Sequence, residues 1–167
     1  MRSRFRLLLS LTCLALAACN TTPMPDGASV YQPPTGPGAA WIRGSMHQDS
    51  GLLASRHVGY VLMVNRQFAA AGEKGWDQPL ALTPGPQDIT VAYRSSVFRS
   101  QAGLSFEARA GVTYVVAIKT GFEGADERRY CEFTIVDAAT GQPVTESKHT
   151  YAANSSGANR TTFRPLD

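Results

Sequence analysis

Between Trp41 and about Thr145 apolar residues recur every second position, and a chain patterned this way has to build sheets. A strand points successive side chains to opposite faces, whereas a helix needs a spacing near 3.6. Ile89, Val91 and Tyr93 alternate with Thr90, Ala92 and Arg94. Leu104, Phe106 and Ala108 alternate with Ser105, Glu107 and Arg109, and Val112, Tyr114, Val116 and Ile118 with Thr113, Val115, Ala117 and Lys119. Cys131, Phe133 and Ile135 do the same with Tyr130, Glu132 and Thr134. Val58 to Val64 is nearly continuously apolar, which suits a strand buried on both faces.

Turn chemistry separates these runs. Thr83-Pro84-Gly85-Pro86, Ala110-Gly111, the polar stretch Gly121–Asp126 and Asp137–Gly141 each interrupt the alternation. No segment carries a sustained helical stripe, although Gln67–Gly72 has the composition of one short turn. The expectation is an all-β chain: a single antiparallel β-sandwich of about seven strands over residues 39–146. From 147 to 167 Ser, Asn, Thr and Gly dominate, which predicts a flexible tail, or a final edge strand at Thr161-Thr162-Phe163.

The N-terminus has a different character. Arg2, Arg4 and Arg6 precede an apolar run from Leu7 to Ala18, the layout of a secretory signal. That run spans 12 residues, and a helix needs about 20 to cross a bilayer. Leu16-Ala17-Ala18-Cys19 closes it and resembles the lipobox of bacterial lipoproteins. The resemblance implies cleavage between Ala18 and Cys19 and a diacylglyceryl group on the Cys19 thiol. Several acyl chains anchor stably where one holds marginally. It also implies, from Asn20 in place of an aspartate, sorting to the outer membrane facing the periplasm. Residues 19–38 hold Pro23, Pro25, Pro33, Pro34 and Pro37 with Gly27, Gly36 and Gly38, the composition of an extended tether.

Within the sandwich the order of motifs has a counterpart. Leu80-x-Leu82-x-Pro84-Gly85-x-x-x-Ile89-x-Val91 is followed by Phe106-x-Ala108-x-Ala110-Gly111-x-x-Tyr114-x-Val116, after Trp41-Ile42-Arg43-Gly44-Ser45 and before Ile135-x-Asp137-x-x-Thr140-Gly141. That order resembles PEGA-like and related small β-sandwich domains of bacterial envelope lipoproteins. Here Gln87 stands where a histidine is frequent and Asn65-Arg66 where Asp-Gly is usual. The resemblance implies the fold and carries over no catalytic residue.

Charge and cysteine content narrow the function classes. Removing Arg2, Arg4 and Arg6 from the 16 basic residues leaves 13, equal to the 13 acidic ones. A balanced chain lacks the basic excess that a nucleic-acid binder uses to displace counterions. Cys13 leaves with the signal and Cys19 takes lipid, so Cys131 stands alone, and its place beside Phe133 and Ile135 predicts a buried small hydrophobe.

Catalytic patterns are missing: neither Gly-x-Ser-x-Gly nor Ser-x-x-Lys occurs, and His47, His57 and His149 have no spacing that suggests a site, so they read as surface or edge histidines. Zinc motifs are absent, and Glu123, Asp126 and Glu127, which could offer oxygens to calcium, are followed at once by Arg128 and Arg129. No cofactor, metal or catalytic residue is expected. Two features mark a candidate binding surface: Arg94, Phe98 and Arg99 around one hairpin, and Trp76 beside Gly75. The leading expectation is a non-enzymatic envelope lipoprotein that binds a protein partner or supports an envelope assembly. The alternatives are a periplasmic inhibitor or immunity-type lipoprotein that blocks an enzyme through a loop, and an enzyme whose site gathers Glu107, Asp88 and His57.

Overall fold

A computed structural model describes residues 27–48 and 55–155. Ala18, Cys19 and Thr161–Phe163 lie outside the described residues. Among those described, every regular element is a strand, and no helix is long and apolar enough to cross a membrane.

There are eleven strands: β1 (Ala40–Arg43), β2 (Ser45–Gln48), β3 (Arg56–Val64), β4 (Gln67–Phe68), β5 (Leu80–Leu82), β6 (Gly85–Arg94), β7 (Phe98–Ala108), β8 (Thr113–Glu123), β9 (Arg128–Asp137), β10 (Lys148–Tyr151) and β11 (Ala153–Asn154). One sheet runs β10-β9-β8-β1-β5; the other runs β11-β7-β6-β3-β2, with β4 on β3. The expected all-β sandwich is what forms, and the strand count exceeds seven because six strands have four residues or fewer, too short to show a period. All pairings are antiparallel except β1 on β8, which is parallel.

Alternation sorts the long strands as expected. Tyr114, Val116, Phe133, Cys131 and Ile135 face Val61, Val64, Ile89, Val91, Leu104 and Phe106 across one core. Burying each such side chain contributes roughly 1.5–3 kcal/mol. Phe106 and Tyr114 meet edge to face at 4.7 Å between centroids, and the Tyr114 hydroxyl accepts from the Arg109 N–H at 3.0 Å.

Two corners join the sheets. Gly44 carries the chain from β1 in one sheet to β2 in the other, and only glycine fits there, because a Cβ would overlap the Gly59 and Trp76 carbonyl oxygens. Ala152 makes the second crossing, from β10 beside β9 to β11 beside β7. This corrects the expected tail: the sheets continue to Asn154 and the folded region runs past 146. The tether is corrected in part as well, since Tyr31 is buried in the core and its N–H donates to the Phe68 carbonyl at 2.9 Å.

Asn65 and Arg66 both take positive φ, 49° and 65°. That is the two-residue turn whose twist suits the β3–β4 hairpin, made here without glycine at its second position. Gln67–Phe68 is strand, not the short helical turn its composition suggested.

Candidate functional site

The sandwich has two ends. At the near end the N-terminal segment joins β1, with the Gly111 N–H donating to the Ala39 carbonyl and the Trp41 N–H to the Val112 carbonyl. The far end collects the start of β3, the β6–β7 hairpin, the close of β8, the start of β9, and β10–β11. Ten steps along β8 separate the two, roughly 33 Å.

Register fixes what the interior holds at the far end. On β9 the inward column Ile135, Phe133, Cys131 continues to Arg129, and on β8 the column Val116, Ile118 continues to Thr120 and Phe122. On β6 the column Ile89, Val91 ends at Tyr93, and β3 contributes His57. The apolar core therefore gives way to a polar throat of His57, Tyr93, Thr120 and Arg129.

The throat is tightly connected. His57 Nδ1 and the Tyr93 hydroxyl are 2.8 Å apart, with His57 2 % and Tyr93 1 % exposed. Arg129 Nη2 donates to Thr120 Oγ1 at 2.9 Å and reaches the Tyr93 hydroxyl and His57 Nδ1 at 3.4 Å. Nδ1 thus lies within reach of both the Tyr93 hydroxyl and the Arg129 guanidinium. His47, opposite His57 in the β2–β3 pair, stacks on it at 4.6 Å and 10°, and the His57 and Tyr93 rings lie 5.8 Å apart at 12°. The guanidinium lies 4.8 Å from the Phe122 ring centroid and 5.5 Å from that of Phe98.

Burial pushes the Tyr93 hydroxyl above its usual range, against hydrogen bonds from Ser95 and Arg129 that lower it. Burial likewise pushes the Cys131 thiol up to about 11, opposed by the Arg129 charge and a Ser100 hydrogen bond. Cys131 is fully buried and unbridged. One atom breaks the pattern: Arg129 Nε is the only buried side-chain nitrogen or oxygen among the described residues without a hydrogen-bond partner.

Outside the throat, on the outer face of the β8–β9 sheet, Tyr130 stacks with His149 at 5.2 Å and Arg128 lies 3.7 Å over the Tyr151 ring. His149 Nε2 meets Glu123 at 3.1 Å. A Tyr151 hydrogen bond, ahead of the His149 charge, holds the Glu123 carboxyl below its usual range. Asp126 pairs with Arg128 at 3.8 Å, so the acidic loop is neutralised by its neighbours. Among the described residues no group of three or more His, Cys, Asp or Glu is arranged to hold a metal ion.

The four binding residues expected from sequence fall in different places. Arg94 and Arg99 are direct partners across the β6–β7 ladder and share its outer face, with Arg94 paired to Glu73 at 3.3 Å. Phe98 has the opposite parity and packs on the core. Trp76 is half-buried over the β1–β2 corner, its carbonyl accepting from the Gly44 N–H at 2.6 Å. The scattered catalytic set does not assemble. Asp88 bonds Ser105 on the outer face of β6–β7, and Tyr93, the His57 partner, is five residues further along β6, roughly 17 Å away.

His57 is a correction, being core rather than surface or edge, whereas His47 and His149 are exposed on the edge strands β2 and β10. Arg129 was missed because Arg128-Arg129 read as a neutralising pair. Continuing the Ile135–Phe133–Cys131 alternation by one more step would have turned it inward.

Exposed apolar side chains follow the same geography. Of the five large ones among the described residues, Met46, Val97, Phe122 and Tyr151 lie at the far end, and Trp41 alone at the near end. No protein-family model, no curated protein and no solved structure matches the chain.

Proposed function

We propose that this chain is a lipid-anchored envelope protein that holds its β-sandwich at a membrane surface and binds a protein partner through the far end. Cys19, at the close of Leu16-Ala17-Ala18-Cys19, is the lipidated residue in this reading, and the outer membrane facing the periplasm is its address. The single observation that carries it is the concentration of exposed apolar side chains at the far end. Met46, Val97, Phe122 and Tyr151 all lie at that end, Phe122 beside the Arg129 guanidinium and Met46 and Tyr151 on the outer faces of the two sheets, while the N-terminal segment joins the sandwich at the opposite end. Interfaces draw on aromatic, Met and Arg side chains of this kind. A domain tethered at one end presents the other to its surroundings. The resemblance to PEGA-like lipoprotein domains supports the same reading and rests on the motifs quoted above.

The test is photo-crosslinking in cells. A benzophenone amino acid replaces Phe122 at the far end or Gln142 in an exposed near-end turn. A discrete protein adduct from position 122 and none from 142 is the expected result. Cys19→Ser should abolish both palmitate labelling and membrane retention. Equal adducts from both positions, or a Cys19→Ser protein that stays membrane-bound, would overturn the proposal.

A further inference from the structure

Resting on that reading, we infer that the Arg129 guanidinium is the receptor for a carboxylate, an Asp or Glu side chain that the partner protein inserts into the throat. An arginine cannot shed its charge as a buried lysine can, so a half-buried guanidinium needs a counter-charge or costs stability. Arg129 takes part in none of the ion pairs among the described residues. Its three hydrogen bonds all leave from Nη2 and reach Thr120, Tyr93 and His57, none of them a carboxylate. Neither Nε nor Nη1 has a partner among the described residues.

The carboxylate nearest along the strand pair is already spent. Glu123 is held by His149 and Tyr151 on the outer face. Nη2 therefore orients the group, while neither remaining donor, the buried Nε nor Nη1, meets an acceptor among the described residues. Preorganised, unpartnered donors beside apolar rings are what a carboxylate binds with geometric specificity.

The throat also sets the size of the charge. Arg94 and Arg99 share the outer face of the other sheet, and Arg128 lies over the Tyr151 ring, so among the described residues at this end Arg129 alone turns its guanidinium inward. One monovalent carboxylate matches it, whereas phosphate sites gather several donors and charges. Phe122, 56 % exposed, stands beside the guanidinium, and Val97, 43 % exposed, lies at the tip of the β6–β7 hairpin. That apolar rim favours an acid carried on a peptide over a free ion.

The experiment follows the Arg129 Nε–H and His57 ring resonances by NMR, using the full chain in neutral detergent at pH 7. Sodium acetate, sodium phosphate and sodium chloride are titrated separately at matched ionic strength. Acetate should shift both signals saturably, with half-saturation at roughly 10 mM, the weak range of one charge-assisted contact. Arg129→Met should lower the acetate response of His57 at least tenfold, and Gln142→Ala, in the exposed near-end turn, should keep it. Shifts from phosphate but not acetate would overturn the carboxylate assignment, as would shifts no larger than those from chloride. An acetate failure beside an intact cross-link at position 122 removes the carboxylate and leaves the docking end. A cross-link failure beside saturable acetate does the reverse.

Discussion

Each end of this sandwich buries a polar side chain from an inward column, and the two ends treat it oppositely. At the near end Gln87, 5 % exposed, accepts from Asn65 Nδ2 at 3.1 Å and donates to the Thr83 carbonyl at 2.9 Å. Asn65 then takes the Asp88 N–H on its own side-chain oxygen at 2.9 Å. At the far end His57 is as deeply buried, yet the group beside it, Arg129, keeps a sealed Nε with no partner. A neutral network closed on itself strengthens a fold; a charged one left open weakens it. The difference marks the near end as structure and the far end as the place where stability is held in reserve for another molecule.

The largest expected effect comes from opening the closed end. Gln87→Leu keeps the volume but removes both hydrogen bonds, and because Asn65 and Thr83 are exposed and can turn to water, it should cost about 1–3 kcal/mol. Arg129→Met, at the open end, should leave stability unchanged or raise it by about 1–2 kcal/mol, since replacing a buried charge with a packed apolar chain is often favourable. Urea midpoints of the two variants measured side by side decide the matter. If Arg129→Met loses as much as Gln87→Leu, the guanidinium is a structural strut and the contrast between the ends disappears.

A smaller effect sharpens the near end. Arg66 holds φ at 65°, where a Cβ is strained and glycine is not. Arg66→Gly should therefore stabilise by about 0.5–1 kcal/mol, read as a raised thermal midpoint. A loss would mean that the Arg66 side chain, rather than the turn, carries the hairpin.

Cys131 tests the far end from within. With its thiol pushed up to about 11 by burial, roughly one molecule in a thousand carries the thiolate at pH 8. Alkylation by iodoacetamide should then be at least about 100-fold slower than in urea, where the ordinary thiol range returns. Since the Arg129 charge is the leading influence lowering that thiol, Arg129→Met should slow the folded-state reaction further. Fast alkylation of the native chain would mean that the throat opens freely, which a preorganised receptor does not.

The long strands were legible because each is half-buried and long enough to repeat its alternation: β6, β7, β8 and β9 were all visible as period-two runs. The short strands were not. β1 and β5 have four and three residues, and their places, β1 beside β8 and β5 beside β1, are set by partners distant in sequence. β10 and β11 read as tail because Lys148-His149-Thr150-Tyr151 lies at a sheet edge, where backbone pairing rather than apolar patterning makes the strand. The throat was hidden for a related reason. His57, Tyr93 and Arg129 are 36 residues apart in each step; the pairing of β3 with β6 brings the first two together, and the facing of the two sheets adds Arg129. Hairpin position suggested Phe98, which belongs to the core, and said nothing of Arg129 above it.

The smallest effect belongs to the rim. Glu123 is the one carboxylate on β8, and its engagement by Tyr151 and His149 on the outer face is what leaves Arg129 without a counter-charge inside. Its folded-state pKa lies below the ordinary value, so its contribution is present above the unfolded carboxyl range and is lost as pH falls through the folded value. The wild type should therefore exceed Glu123→Gln slightly at pH 7, and the two urea midpoints should converge on acidification below that folded value. Because the group is exposed, 1 M salt should shrink the gap at pH 7 as well. A gap that persists in acid would place the Glu123 side chain in packing instead of charge. If Glu123→Gln at pH 7 also strengthened the acetate response of His57, Glu123 would be competing for Arg129 from the rim, and the far end would be less open than the near end is closed.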